Sequence, residues 1–171
     1  MLVRRAVPSD AAVLAVLGAS TFTDAFGHLY SAEDLQAFLD ESHAVSAYEG
    51  LLSSPAYALW LAEVDGQAVG YALAGPCGLP HADVRPEHGE LKRLYVSQAA
   101  QGGGVGAHLF DEALAWLERE GPRPLWISVW SENYGAQRFY GRYGFEKAGE
   151  YEFIVGQQRD REFIYRRLPG R

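Results

Sequence analysis

The chain has 171 residues, 48% of them hydrophobic and 13% aromatic, and a formal net charge of −7 at pH 7. This is the length of one ordinary domain, and the apolar content is too high for a disordered chain. The acidic balance argues against a nucleic-acid backbone as partner, and the single cysteine, Cys77, cannot close an intramolecular disulfide. Cys77 reads as a passive loop residue. No signal-peptide core follows Met1, and no apolar run approaches the roughly 20 residues that span a bilayer. The expectation is one cytoplasmic domain over residues 1–171 with no membrane partner.

Residues 2–7 read as a first strand. Pro8-Ser9-Asp10 then starts a helix with Val13, Leu14 and Leu17 on one face and Gly18 at its end. Ser31-Ala32-Glu33-Asp34 resembles a capping box, followed by Leu35, Phe38 and Leu39 at helical spacing. A short amphipathic stretch surrounds Tyr48 and Leu52. Residues 57–64 and 67–74 read as a hairpin about Asp65-Gly66, and the Pro- and Gly-rich residues 75–87 as a loop. Residues 90–96 form the next strand. After a glycine cluster comes a helix to about Glu120, with Leu109, Phe110, Ala113, Leu114 and Leu117 on its buried face. Gly121-Pro122 ends it. Leu125–Trp130 is a continuous apolar run, as in a strand buried on both faces. Ala136, Phe139, Tyr140 and Tyr143 return to helical spacing, stopped by Gly144. Glu146–Val155 and residues 162–168 close the chain as two strands about a polar turn. The fold class is therefore α/β, with a mixed, mostly antiparallel central sheet of about seven strands flanked by about four helices.

The segment Gln101-Gly102-Gly103-Gly104-Val105-Gly106 lies between a strand and a helix. The first amides of a helix have no internal partner and point outward along the positive end of its dipole. Glycines let an anion approach that backbone closely, which makes a pyrophosphate cradle. A flexible connector is the bland alternative. A Rossmann loop fits less well: residues 97–101 separate the strand from the first glycine, and no further βαβ units follow. No Gly-Lys-Ser/Thr is present to make a P-loop.

Leu94-Tyr95-Val96, a short spacer and Gln101 to Gly106 match the Q/R-x-x-G-x-G/A signature of the GNAT superfamily of N-acetyltransferases. Asn133, Ala136, Phe139-Tyr140 and Gly144-Phe145 match its N-x-x-A-x-x-F-Y-x-x-x-G-F element. The chain resembles that family from its first strand to its final hairpin, and Phe22-Thr23-Asp24-Ala25-Phe26 looks like the bacterial polyamine-type members. The resemblance implies acetyl-CoA as co-substrate, bound where the strands ending at Val96 and Trp130 splay apart. The backbones of Leu94, Tyr95 and Val96 would hold the pantetheine arm. Gln101, Gly102, Gly104 and Gly106 would form the pyrophosphate loop, with Val105 inside it and Gly103 on a variable position of the signature. Asn133 would contact the cofactor through its side-chain amide.

The resemblance makes Tyr140 the general acid that protonates the leaving thiolate, with simple core packing as the alternative. Glu90 stands where many members place a catalytic carboxylate. His88 and a chain of waters are the other candidates for the base. Strand alternation puts Glu90 on the face of Lys92 and Leu94 unless a bulge intervenes. Tyr134 and Tyr143 read as packing. His28, His43, His81 and His108 lack metal-ligand spacing, so no metal is expected. The acceptor implied is a small cationic amine such as a polyamine, with Asp24, Glu33, Asp34 and Glu41 as an acidic mouth. The alternatives are a peptide or protein amine, or a non-catalytic acyl-CoA sensor. A homodimer is left open.

Overall fold

Seven strands form one sheet in the order β1-β2-β3-β4-β5-β7-β6. They are β1 (Leu2–Arg5), β2 (Ala58–Val64), β3 (Gln67–Pro76), β4 (Gly89–Val96), β5 (Leu125–Trp130), β6 (Glu146–Val155) and β7 (Gln158–Arg167). Every neighbouring pair is antiparallel except β4 and β5. The helices are α1 (Ala11–Phe26), α2 (Ala32–Ser42), α3 (Val45–Ser53), α4 (Val105–Leu117) and α5 (Tyr134–Arg142), one more than the sequence led us to expect. This computed structural model describes residues 1–170.

Strand alternation sends side chains into two cores. Ala58, Trp60, Ala62, Ala72 and Ala74 face α4, where Leu109, Phe110, Ala113 and Leu117 are buried against them. The alanines leave room for a helix carrying large side chains to lie close. Leu59, Leu61, Tyr71 and Leu73 face the other way, onto Leu14, Leu17 and Tyr48. β2 and β3 are thus buried on both faces, which explains their continuous apolar runs. The edge strand β6 instead carries Lys147 and Glu150, and Glu150 also pairs with Arg161 of β7. Charges of this kind deter pairing with another chain.

Helix α1 runs straight through Gly18, where the sequence reading ended it. A Cβ at Gly18 would meet the Tyr48 hydroxyl and the His43 ring, so this glycine makes room for α3 rather than stopping α1. The inward face is Leu14, Leu17 and Thr21, while Val13, expected inside, is 45% exposed. With its flanking single turns, Pro8–Leu29 is long and apolar enough to cross a membrane by length and composition, contrary to the expectation of no such run. Its Leu14 and Leu17 are packed into the core over β2 and β3. Truncating Leu14 to Ala would cost about 2–5 kcal/mol. Ser31 caps α2 as read from sequence, its hydroxyl accepting from the Asp34 amide at 3.1 Å.

Candidate active site

The parallel strands β4 and β5 pair only from Gly89–Leu125 to Leu91–Ile127. Past that point β4 stays on β3 as far as Val96, and β5 stays on β7 as far as Trp130. Two unpaired strand edges therefore face a gap. The register between β3 and β4 steps from Leu73–Arg93 to Ala74–Leu91, which leaves Lys92 as an extra residue. Such a bulge bends and twists its strand, and it falls directly after the last β4–β5 pair. It also reverses the alternation: Leu91, Leu94 and Val96 face α4, while Tyr95 faces α1.

The glycine segment lies between the end of β4 and the start of α4. Gly102 and Gly104 have φ of 86° and 83°, and Gly104 is the N-cap of α4. These left-handed positions, which favour glycine, aim the first amides of α4 outward. Gln101 folds back to donate from Nε2 to the Val96 carbonyl at 3.0 Å, fastening the loop to the strand end. Unpaired strand, glycine turn and helix N-terminus together fit an extended amide arm followed by a pyrophosphate.

Leu91, Leu94, Tyr95, Asn133 and Tyr140 all line the cleft. Asn133 caps α5, its Oδ1 accepting from the Ala136 amide at 3.1 Å, so its amide NH2 remains to donate. Tyr140 is 8% exposed, with its ring stacked on Phe110. Among the described residues its hydroxyl has no hydrogen-bond partner, yet no buried side-chain oxygen is left unsatisfied. The hydroxyl is therefore open to the cleft. Burial, with a smaller push from the Tyr95 phenol, raises its pKa well above the ordinary value. The phenol is therefore protonated at neutral pH.

A family profile described as "Acetyltransferase (GNAT) family" matches residues 21–145, a span that holds this whole set. The chain belongs to the GNAT acetyltransferase family. It is an acetyl-CoA-dependent N-acetyltransferase. An uncharacterized N-acetyltransferase of Mycobacterium tuberculosis is 31% identical over 156 residues, 91% of this chain and 96% of its own. The spermine/spermidine N(1)-acetyltransferase of Bacillus subtilis is 29% identical over 92 residues, 52% of this chain and 59% of that protein. The PaiA N-acetyltransferase of Thermoplasma acidophilum, solved in complex with coenzyme A, shares the fold with a TM-score of 0.77 at 18% identity over 98% of both chains.

Several GNAT positions named from sequence lie elsewhere than expected. Glu90 is off the cleft wall: it is 6% exposed, paired to Lys92 Nζ at 2.9 Å and holding the Gly78 amide at 3.0 Å. The bulge takes it off the face of Leu94. His88 is buried below the parting of the strands, where its Nδ1 accepts from the Trp126 indole at 3.0 Å. Burial lowers its pKa, so it stays a neutral acceptor. Asp24, Glu33 and Glu41 are exposed, Asp34 is half-buried beside the Gln157 amide, and none lines the cleft. Tyr143 packs on Phe110 at 4.4 Å, whereas Tyr134 is 61% exposed. The Cys77 thiol is pushed up to about 11, chiefly by burial, which suits an inert loop residue.

The acid that does line the cleft is Glu162 of β7, which the sequence reading took for a strand end beside a polar turn. β7 in fact begins at Gln158, after a two-residue turn with Gly156 at φ 57°. Asp160, Glu162 and Ile164 then share an inward face. Two acids in alternation ahead of a buried isoleucine were the available signal. The roof over this acid is aromatic: Phe22 stacks on Phe38 at 4.6 Å, and Phe26 meets Trp130 at 5.6 Å.

Proposed function

We propose that the enzyme acetylates the primary amine of a small cationic acceptor of polyamine type, by direct attack of the amine on the thioester. The observation that carries this reading is the gap between β4 and β5, where an unpaired strand edge and the open hydroxyl of Tyr140 line one cleft, with a glycine-turned helix N-terminus following the end of β4. Acetyl-CoA supplies the activated acetyl group. The β4 edge at Leu94, Tyr95 and Val96 would hold its amide arm, the NH2 of Asn133 would donate to it, and the amides from Gly102 to Gly106 would hold its pyrophosphate. Because the Val96 carbonyl is engaged by Gln101, acceptance on that edge falls to the residues before it. Tyr140 would protonate the departing sulfur. Direct attack needs no nucleophile on the chain, in keeping with a Cys77 thiol that stays protonated.

Support for a cationic acceptor comes from the unpaired Glu162 under an aromatic roof, where an ammonium would be held by charge and ring faces. The partial likeness to a spermine/spermidine acetyltransferase points the same way. A second reading, a peptide amine, is favoured by Arg93. This cleft residue has no carboxylate partner among the described residues, and its NH1 reaches only the Tyr48 hydroxyl, at 3.0 Å. Its remaining donors would suit a peptide carbonyl. A screen of primary amines and short peptides with acetyl-CoA, read by thiol release, tests both. A polyamine enzyme should prefer spermidine to butylamine, with a KM that rises with salt. Equal rates with the two amines and faster release with a peptide would move the assignment to the peptide. Coenzyme A binding without release from any acceptor would make the chain a sensor.

A further inference from the structure

Glu162 sits in mid-strand, opposite Trp130 of β5 and Tyr151 of β6. It enters the cleft from the face that carries Asp160, whereas Tyr140 enters from the α4 side. The one hydrogen bond to its carboxylate comes from Ser128 Oγ to Oε2 at 3.1 Å. Ser128 Oγ also lies 2.7 Å from the Tyr151 hydroxyl, so donation runs from Tyr151 to Ser128 to Glu162. Oε1 is left without a protein partner. Since no buried oxygen among the described residues is unsatisfied, Oε1 is open to the cleft.

Among the described residues, none of the charged groups around it pairs with this carboxylate, and Lys92, which lines the same cleft, is held by Glu90 at 2.9 Å. Asp160, on the same face of β7, accepts from the Tyr30 hydroxyl at 2.6 Å and from Gln158 at 3.0 Å. On β4 the Tyr95 phenol feels both Glu162 and Arg93, and Arg93 itself turns to Tyr48. The roof from α1 offers only Phe22 and Phe26, and β6 offers Tyr151. No lysine or arginine pairs with Glu162 among the described residues. A half-buried carboxylate in this state waits for a cation that the protein does not supply.

We propose that Glu162 is the general base of the transfer, seating the acceptor's ammonium at Oε1 and taking its proton. The proposal rests on the acetyltransferase reading above and assigns the base to β7 instead of to Glu90. The steps balance. The ammonium gives one proton to Glu162, which passes it to solvent. The neutral amine forms the new C–N bond as the C–S bond breaks, and the sulfur takes the Tyr140 proton. The second nitrogen proton then returns Tyr140 to its neutral form, leaving an amide and a free thiol. Burial, opposed by the Ser128 hydrogen bond and aided by the Asp160 charge, brings the carboxyl up to about 7. The uphill gap to an alkylammonium, ordinarily near 10, thereby shrinks from roughly six pH units to about three.

The test is the pH profile of kcat/KM for the full chain with acetyl-CoA and the amine that releases thiol fastest. The wild type should show an acid limb with its midpoint near 7. Glu162→Gln should lose that limb and about 10²–10⁴-fold of the rate at pH 8, while coenzyme A affinity by calorimetry stays unchanged and certifies the fold. Glu162→Asp should keep a limb at lower pH and recover part of the rate, and it carries the same test if the Gln variant does not fold. Glu90→Gln should leave the limb in place. An active wild type whose folded Glu162→Gln variant keeps both limb and rate would overturn Glu162 as the base and leave the acetyltransferase reading standing. A wild type that releases no thiol with any amine would overturn both.

Discussion

Replacing Gly104 with valine separates backbone strain from collision at the glycine turn. A side chain at Gly104 meets nothing within 4 Å, so no clash arises. Its φ of 83°, however, is a conformation that L-residues avoid and β-branched residues tolerate least. The cost is about 1–3 kcal/mol. If the turn holds its shape, that cost comes out of stability, and Tm falls by roughly 2–12 °C for a chain of this size. If the turn relaxes, the first amides of α4 point elsewhere and coenzyme A must restore them, weakening binding by about 5- to 150-fold. Gly103 is the internal control: its φ is not positive, and the nearest atom to a Cβ there is at 3.8 Å. Calorimetric titration with coenzyme A and thermal melts of Gly104→Val, Gly104→Ala and Gly103→Val decide the matter. The Ala variant should share the strain without the added bulk toward a phosphate. Gly104 variants that match wild type in both Kd and Tm, or a Gly103→Val variant more damaging than Gly104→Val, would refute the reasoning.

If the phenol protonates the departing sulfur as proposed, Tyr140→Phe should lower turnover by about 10²–10⁴-fold and leave coenzyme A affinity unmoved; steady-state rates and calorimetry check this. The His43 pKa is lowered to about 4 by burial, with the Arg93 charge adding to the effect, so the unfolded chain binds the extra proton first. Stability to urea should therefore decline as pH falls from about 6.5 to 4, and a His43→Gln variant should show a shallower decline. Glu162 is shifted the other way, its folded pKa raised from 4.5 to about 7, so its penalty on the fold grows as pH rises through that interval and is complete above it. Glu162→Gln should melt at a higher temperature than wild type at pH 8.5 and show no such gain at pH 4.

Most of the frame was legible because short-range chemistry announces it. Leu125–Trp130 and Glu146–Val155 have the bounds read from their residues, and Ser31 caps α2 as its spacing required. Glycine punctuation served well where a positive φ was needed, at Gly102, Gly104 and Gly144. It misled at Gly18, where the demand comes from Tyr48, thirty residues away, and local sequence carries no trace of it. The bulge at Lys92 was hidden for the same reason, since it exists only in the register between β3 and β4. That one extra residue undid the alternation argument for Glu90. Glu162 escaped because a polar run after Val155 looked like a turn, whereas only two residues make the turn and the rest pair with β6.

The cleft and its chemistry have a common origin in the divergence of β4 from β5. In an unbroken sheet the two faces are sealed from each other, and a tyrosine over one face never meets a carboxylate over the other. Here Tyr140 belongs to the core beneath α4, and Glu162 to the face that carries Asp160, yet both reach the same space. They reach it because β4 stays with β3 and β5 stays with β7. The strand edges exposed by the divergence carry backbone groups that need partners, and a co-substrate rich in amides can supply them. The unpaired carboxylate of Glu162 likewise needs a cation, and an ammonium supplies it. An acid and a base that shared one face would tend to pair with each other. Set on opposite faces and meeting only at the gap, Tyr140 and Glu162 make no hydrogen bond to each other among the described residues, and burial raises the pKa of each.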